Sequence, residues 1–345
     1  MKIYTRKLDI QHGHIEMAHG GGGRAAAQLV EEIFLRAFGN DTLRSLDDAA
    51  SIGRHEGRLV MSTDSHVVSP LFFPGGDIGA LAVNGTLNDL AMAGARPIAL
   101  SAGFILEEGF ALRDVQRIAA SMGEAARGAG VPIVAGDTKV VERGKGDGCF
   151  INTTGIGVVR PGVAIAARGA KVGDSIIVSG SIGEHGVAVM SLRENLRFDA
   201  TIHSDTAALH GLVSAMLDAV PGIHCMRDPT RGGLGTVLNE LAQQSNVGMV
   251  IREGDIPIER GVRAACELLG LDPLYVACEG RLVAICAAAD AARLLAAMQA
   301  HPLGRRSAII GEVRDDAENF VEMQTTFGGN RIVDWLTGEQ LPRIC

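Results

Sequence analysis

Short apolar strands alternate with helices along this chain, and this alternation is the feature that most limits how it can fold. In the first half, strands are predicted over residues 58–64, 98–106, 131–135 and 149–159, with helices over 77–94 and 111–128. In the second half, strands are predicted over 174–179, 282–286 and 308–313, with helices over 204–218, 233–244, 258–269 and 288–299. The turn signal Arg160-Pro161-Gly162 separates the halves. The pattern predicts an α/β (α+β) fold with two domains.

The same signals divide the chain into four parts. Residues 1–40 are predicted as an N-terminal segment with a glycine-rich loop and a helix, and 41–160 as an α/β domain. Residues 161–326 are predicted as a second α/β domain, and 327–345 as a mobile tail that carries Cys345. The length of 345 residues is sufficient for two domains of ordinary size.

Composition excludes several classes of protein. Hydrophobic residues make up 47% of the chain and aromatic residues only 4%, so a largely aliphatic core is expected. The net charge of -8 argues against a nucleic-acid-binding face, which needs a basic patch. The most apolar stretch, 282–298, is interrupted by Asp290 and Arg293, so we expect no membrane span, and no secretory signal follows Met1. We therefore expect a cytoplasmic protein that binds neither nucleic acid nor a membrane.

The six cysteines contain no C-x-x-C pair, so a zinc or thioredoxin motif is not indicated. Most are expected to be buried free thiols that pack as small apolar groups. Cys345 differs, because it is the last residue of the segment Gln340-Leu341-Pro342-Arg343-Ile344-Cys345. Termini are usually poorly ordered, and proline favours extended backbone, so we expect a short arm that can move a nucleophile between sites. The alternative is a frayed end that happens to finish in cysteine.

Acidic residues recur beside small-residue turns after apolar runs. They are Asp47-Asp48, Asp64, Asp89 and Asp137. Acids at the ends of strands or helices lie at the mouth of an α/β structure, and converging carboxylates are tolerated when Mg²⁺ sits between them. A metal–nucleotide site is therefore expected. Helix caps and Asx-turns are the alternative for any single aspartate, and Asp77 and Asp174 fit that role better.

Several further residues can serve such a site. The loop His19-Gly20-Gly21-Gly22-Gly23 precedes a helix and suits phosphate binding, although a glycine run is also a common flexible connector. Lys139 follows Asp137 closely and can hold a phosphate or act as an acid or base. Glu279 suits proton transfer if it is buried, and forms an ordinary ion pair with Arg281 if it is not. The segment Asp228-Pro229-Thr230-Arg231-Gly232-Gly233 opens a helix and can present an arginine to phosphate, or it is simply a capped turn.

These motifs together resemble the HypE family of hydrogenase maturation factors, the carbamoyl dehydratases that make cyanide ligands for nickel–iron hydrogenases. The matching segments are 19–23, 46–50, 62–65, 72–76, 88–91, 103–109, 136–141, 150–155, 227–233 and 342–345. They occur in order over nearly the whole chain. The acid-rich loops are shared with the wider superfamily related to aminoimidazole ribonucleotide synthetase, whereas the terminal Pro-Arg-Ile-Cys is specific to the dehydratases.

The resemblance implies a two-domain architecture like that of aminoimidazole ribonucleotide synthetase, with ATP and Mg²⁺ as cofactors. The implied nucleotide-binding residues are Gly21, Gly22, Asp47, Asp48, Asp64, Asn88, Asp89, Asp137, Asn152, Thr153 and Asp228. The implied metal ligands are Asp48, Asp64, Asp89 and Asp137. Cys345 would carry the carbamoyl group, and Lys139 and Glu279 would transfer the protons of its dehydration to a thiocyanate.

The resemblance also implies partners. A HypF-like carbamoyltransferase would load Cys345, and a HypC–HypD complex would accept the cyanide for iron. The N-terminal domains would pair to form a homodimer.

Two kinds of alternative remain open on the sequence. Sibling enzymes are one: selenophosphate synthetase needs a reactive Cys or selenocysteine near its N-terminus, but the first cysteine here is Cys149, and aminoimidazole ribonucleotide synthetase or thiamine-phosphate kinase needs no terminal thiol. The other is a nucleotide-sensing scaffold, which would bind ATP without turnover on a carbamoylated tail.

Overall fold

The computed structural model describes residues 7–196, 201–336, 338 and 341–345. Parts of the predicted N-terminal segment (1–6) and tail (337, 339 and 340) lie outside the described residues. The helices are α1 (Arg24–Leu29), α2 (Leu35–Phe38), α3 (Asp41–Arg44), α4 (Ile78–Met92), α5 (Leu112–Ala129), α6 (Glu184–Arg193), α7 (His210–Ala219), α8 (Gly233–Ser245), α9 (Arg260–Leu269) and α10 (Ala288–Ala300). The strands are β1 (Arg58–His66), β2 (Phe72–Phe73), β3 (Gly76–Asp77), β4 (Ala95–Glu107), β5 (Ile133–Val141), β6 (Cys149–Val159), β7 (Asp174–Val178), β8 (Cys225–Arg227), β9 (Gly248–Arg252), β10 (Val283–Ala287), β11 (Ala308–Arg314), β12 (Val321–Gln324) and β13 (Asn330–Ile332).

The first half is built on a four-stranded sheet in the order β1-β6-β4-β5. Only the β4–β5 pair is parallel, because α5 crosses between these strands. Helix α4 is buried along nearly its whole length, and its first turn is capped by Asp77, whose carboxylate accepts bonds from the amides of Gly79 and Ala80 at 2.8 and 3.0 Å. Gly94 follows with a φ of 71° and ends the helix, as the sequence predicts.

The second half contains a seven-stranded sheet in the order β13-β12-β9-β11-β7-β10-β8. Its strands pair antiparallel except for β12 with β9. Helices α7 and α10 contribute to one apolar cluster around this sheet, and α8 contributes to another. None of the helices within the described ranges has the length and apolarity that a membrane span requires.

The structure corrects several predicted elements. Strand β5 continues to Val141, so Asp137 lies in the middle of a strand rather than after its end. Asp64 lies within β1 and Asp89 within α4, so neither occupies a turn. Helix α7 begins at His210 rather than at residue 204, and α6 was not predicted. The first helical segment, 24–38, contains a π-helical turn at Val30–Phe34 between α1 and α2.

One apolar cluster spans both halves. It contains Leu81 of α4, Val187 of α6 and Val276 of the loop before β10, together with Ile344 and Cys345 at the chain end. The last residues are therefore part of the packed interior in this structure.

Candidate functional site

The C-terminal segment is docked against the chain that follows β1. The amide of Val67 donates to the backbone oxygen of Cys345 at 3.1 Å, and the amide of Ser69 donates to the carbonyl of Arg343 at 3.2 Å. Arg343 has a φ of 53°, so the chain turns here instead of continuing the extended arm expected from Pro342. The docked position is described by the structure, whereas the mobility of the tail stays a prediction.

The thiol of Cys345 lies in a polar pocket and is only 8% exposed. An Nη1–H of Arg231 donates to its Sγ at 3.4 Å. Burial raises the pKa of the Cys345 thiol to about 12, and the carboxylates of Glu279 and Asp64 reinforce the rise, while Arg231 opposes it. The docked cysteine is therefore a thiol at neutral pH, and not a thiolate.

Arg231 is positioned by a tight turn before α8. Gly232, the N-cap of α8, has a φ of 78°, a conformation that side chains rarely adopt. The carbonyl of Pro229 accepts a bond from the amide of Cys278 at 2.9 Å, which holds the turn next to the loop that carries Glu279. The predicted arginine-presenting turn therefore faces the tail thiol.

Glu279 is 3% exposed, and its Oε1 has no hydrogen-bond partner. Burial, followed by the nearby charges of Asp228, Asp205 and Asp64, raises the pKa of the Glu279 carboxyl well above its usual value. Its backbone is fixed, because its amide donates to Asp205 at 3.0 Å and its carbonyl accepts from the Asn88 side chain at 3.1 Å. The surface ion pair with Arg281 that the sequence left open does not form, since Arg281 lies nearest to Glu184 and Asp205.

Two further carboxyl groups of this pocket have raised pKa values. Burial and the charge of Asp89 raise the pKa of Asp228 to about 7. Burial also raises the pKa of Asp89, although the hydroxyl of Ser62 donates to its carboxylate at 2.6 Å. Asp64 completes the set, with the buried His66 ring 3.4 Å from its carboxylate. We refer to Asp64, Asp89, Asp228, Arg231, Glu279 and Cys345 as the thiol pocket.

A second group of predicted residues lines a separate cavity of about 390 Å³. The cavity lies between the helical segment 24–38, the loop 46–50 and the edge strand β5. Of the predicted site residues, Gly22, Asp47, Asp48, Asp137 and Lys139 line it. Lys139 pairs with Asp137 and holds the pKa of that carboxyl below its usual value. Gly21 ends the 3-10 turn next to this cavity without lining it. We refer to this space as the glycine-loop cavity.

The four predicted metal ligands do not converge in one chain. Asp48 and Asp137 line the glycine-loop cavity, whereas Asp64 and Asp89 belong to the thiol pocket. Over the described ranges, no group of three or more His, Cys, Asp or Glu side chains is arranged to hold a metal ion. The expectation that all these acids meet at one edge is not met within a single chain, because Asp64 and Asp137 lie on opposite edge strands of the sheet.

Asn88 makes structural bonds: its amide nitrogen donates to the carbonyl of Ala207 at 3.0 Å, and its Oδ1 accepts from the amide of Leu209 at 2.8 Å. The Thr153 hydroxyl is buried and donates to the carbonyl of Ala82 at 2.8 Å. Asn152 faces the exposed side of the sheet and donates to the carbonyl of Asp64 at 2.9 Å. Nucleotide contacts by these three residues stay predictions.

Sequence reasoning missed residues that touch the tail. His185 is fully buried, and its Nε2–H donates to the carbonyl of Ile344 at 2.8 Å, while its Nδ1 accepts from the Ser204 hydroxyl. Arg193 donates to the carbonyls of Pro342 and Arg343. These residues lie about 150 positions from the tail, so no local pattern could link them to it.

Comparisons with known proteins agree with this architecture. Residues 46–159 match the family described as AIR synthase related protein, N-terminal domain, and residues 171–324 match its C-terminal domain. The fold is therefore that of an AIR synthase-related protein, and the predicted fold class is confirmed.

Closer relatives identify the family. Carbamoyl dehydratase HypE of Cupriavidus necator is 64% identical over 343 residues, which cover 99% of this chain and 98% of the relative. A crystal structure of hydrogenase maturation protein HypE in complex with ATP has a TM-score of 0.92 and 49% identity, covering 95% of this chain and 99% of that chain. A structure of a HypE–HypF complex matches with a TM-score of 0.79 and 48% identity, covering 89% and 99%. This chain belongs to the HypE family of carbamoyl dehydratases, which confirms the resemblance.

Proposed function

We propose that this enzyme uses ATP to dehydrate an S-carbamoyl group on Cys345 to a thiocyanate, which supplies cyanide for the iron of nickel–iron hydrogenase. The observation that carries the proposal is the position of the Cys345 thiol beside Arg231 and the buried Glu279, whose carboxyl has a raised pKa. A terminal thiol of no function would not be expected at such a site.

The reaction balances in two steps. The carbamoyl oxygen attacks the γ-phosphorus of ATP, ADP leaves, and one N–H proton is lost, which gives an S-bound imidate phosphate. The C–O bond then breaks with loss of phosphate and of the second N–H proton, which leaves a carbon–nitrogen triple bond on sulfur. The products are the thiocyanate, ADP and phosphate, and phosphorylation serves to convert an amide oxygen into a leaving group.

Glu279 fits the role of proton acceptor from the carbamoyl nitrogen. Its unpartnered Oε1 can accept an N–H bond, and its raised pKa makes it a stronger base once it is deprotonated. Arg231 would stabilise negative charge that develops on the phosphorylated group. Lys139 lies at the glycine-loop cavity in this chain, so a role for it in the same proton transfers requires Lys139 of a second copy or a movement of the tail.

The glycine-loop cavity fits a nucleotide. Its glycine loop precedes a helix, Lys139 offers a cation, and Asp47 and Asp48 offer oxygen ligands. The ATP-bound structure of a HypE relative supports ATP binding in this family, and we propose this cavity as its site. The carboxylates of Asp48, Asp64, Asp89 and Asp137 have the oxygen chemistry that Mg²⁺ prefers, and Mg²⁺ would neutralise charge on the phosphates.

The partners follow from this chemistry. A HypF-like carbamoyltransferase would load the thiol, and the HypE–HypF structure of relatives supports such a complex. A HypC–HypD complex would accept the cyanide. We also propose a homodimer, because one face of the N-terminal sheet carries exposed apolar side chains, namely Leu59, Met61 and Ile105.

Intact mass of the chain after incubation with its carbamoyltransferase and carbamoyl phosphate, before and after MgATP, tests the proposal. We expect a carbamoyl adduct that loses one water with ATP and that is absent from Cys345→Ala. Glu279→Gln should take up the carbamoyl group normally and dehydrate it about 100-fold more slowly, because its side chain cannot accept the proton.

Other outcomes of this experiment are equally informative. If the partner is active and the wild-type chain stays unmodified, the carbamoyl-carrier role of Cys345 is refuted. If the adduct forms and persists with MgATP while ATP still binds, the chain is a nucleotide-sensing scaffold and not a dehydratase.

A further inference from the structure

Arg193, at the end of α6, makes a set of contacts that the dehydration chemistry does not use. Its Nη1–H donates to the carbonyl of Pro342 at 2.7 Å, and its Nη2–H donates to the carbonyl of Arg343 at 3.0 Å. Its Nε–H donates to the carbonyl of Ser69 at 3.1 Å. One guanidinium therefore joins three peptide carbonyls, two on the tail and one on the segment against which the tail is docked.

The segment after β1, to which Arg193 also binds, holds the tail next to the thiol pocket. Val67 and Ser69 hold the tail backbone through their amides, and near its end β1 carries Asp64, a member of the thiol pocket, with His66 beside it. The side chain of Arg343 adds a bond to the carbonyl of Val67 at 3.0 Å and an ion pair with Asp147. The tail is thus set in register with β1, and this register places Cys345 next to Arg231.

Arg193 has no carboxylate within ion-pair distance among the described residues, and it donates to the three carbonyl groups and, at 3.6 Å, to the Sδ of Met190 on its own helix. Burial and the neighbouring Arg343 lower the pKa of Arg193. An arginine guanidinium nevertheless stays charged in proteins. Hydrogen bonds from a charged donor are about twice as strong as neutral ones. The planar fork of arginine can reach three separate carbonyls, whereas a lysine ammonium donates from one atom.

We propose that Arg193 is a positioning residue that holds the tail in its docked register and so determines how often Cys345 leaves the thiol pocket. The docked thiol is only 8% exposed, so a reagent or a partner must reach it in the undocked state. The consequence for carbamoyl loading rests on the proposed carrier role of Cys345. The position-holding role does not, and it can be measured without the partner enzyme.

Iodoacetamide labelling followed by intact mass measures the undocked population directly. The other five cysteines are at most 1% exposed, so a first label reports on Cys345, and Cys345→Ser verifies this assignment. We expect Arg193→Gln to be labelled at least about tenfold faster than wild type, because two charge-assisted bonds to the tail are lost. Arg193→Lys should lie between the two. Arg314→Gln, which removes an exposed arginine paired with Glu312, is the matched control and should label at the wild-type rate.

A second background separates positioning from a general structural role. Ile344 is 3% exposed, so Ile344→Asp should expel the tail. If Arg193 acts on the tail, Arg193→Gln lowers the melting temperature of the wild-type chain but changes that of the Ile344→Asp chain much less. Wild-type labelling rates in Arg193→Gln, or an equal loss of melting temperature in both backgrounds, would overturn the proposal. Neither result depends on whether Cys345 is carbamoylated.

Discussion

The carboxyl groups beside Cys345 differ from surface acids because they share a buried space. Burial and neighbouring carboxylates raise the pKa of Glu279 well above its usual value and the pKa of Asp228 to about 7. A site that must accept protons from a carbamoyl nitrogen and release them again benefits from a group such as Asp228, whose pKa lies near neutrality. The burial of these carboxyl groups therefore supports the proton transfers that we propose.

Asp228→Asn should change how stability depends on pH. The Asp228 pKa rises from 3.8 to about 7 on folding, so the folded state binds the proton more tightly, and this contribution to stability is lost as pH rises from about 4 through about 7. Asparagine resembles the protonated acid and cannot ionise. We therefore expect the melting temperature of the variant, relative to wild type, to be higher at pH 8 than at pH 5, measured with EDTA present.

Asp315→Asn, which alters an exposed aspartate, serves as the control for Asp228→Asn. It should shift the melting temperature equally at both pH values. A pH-independent difference for Asp228→Asn would show that its carboxyl ionises as readily in the folded state as in the unfolded state.

Helix α4 is an element whose boundaries could be predicted from the local sequence. Its cap, its length and its end are all encoded locally, by Asp77, the apolar run and Gly94. Because one residue, Asp77, caps the first turn of α4, a single substitution can test how the helix begins.

Asp77→Ala should lower the free energy of unfolding by about 1 kcal/mol, because the amides of Gly79 and Ala80 lose their acceptor. Urea unfolding followed by circular dichroism measures the change. Asp77→Asn keeps an acceptor oxygen and should lose less. An equal loss in both variants would mean that charge or packing, and not capping, is the role of Asp77.

Other elements depended on information that is not local. Strand β5 continues through Gly136 and Asp137 because β4 pairs with it along that stretch, and a glycine beside an aspartate otherwise resembles a turn. Helix α6 begins after Gly183 and has a glycine in its first turn, which hides it from a periodicity search. The motif residues were proposed from the sequence alone. Their division between the thiol pocket and the glycine-loop cavity depends on the order of the strands in the sheet, which places β1 and β5 at opposite edges.

At the scale of the whole molecule, the N-terminal sheet has one face that no described element covers at Leu59 and Met61. The two residues alternate with inward-facing positions along β1, so they share a face, and Ile105 of β4 lies on the same side. Exposed apolar side chains grouped on a sheet commonly mark a contact surface.

Met61→Lys should convert the proposed homodimer to a monomer, because a charge would be buried at the paired face. Size-exclusion chromatography with light scattering measures the mass. Leu268→Lys is a matched control, since Leu268 is 69% exposed and Met61 70% exposed, and it should leave the dimer intact. A wild-type mass that already equals one chain, or a dimer that survives Met61→Lys, would place the homodimer elsewhere or exclude it.

The apolar cluster that joins Leu81, Val187, Val276 and Ile344 has a thermodynamic consequence. Melting of the first half alone would remove most of the members of this cluster and expose the remainder to water, so a half-folded chain gains little from the part that survives. The two halves should therefore lose structure together, in one calorimetric peak whose van't Hoff enthalpy equals the measured heat. Two sheets joined in this way act as a single thermodynamic unit.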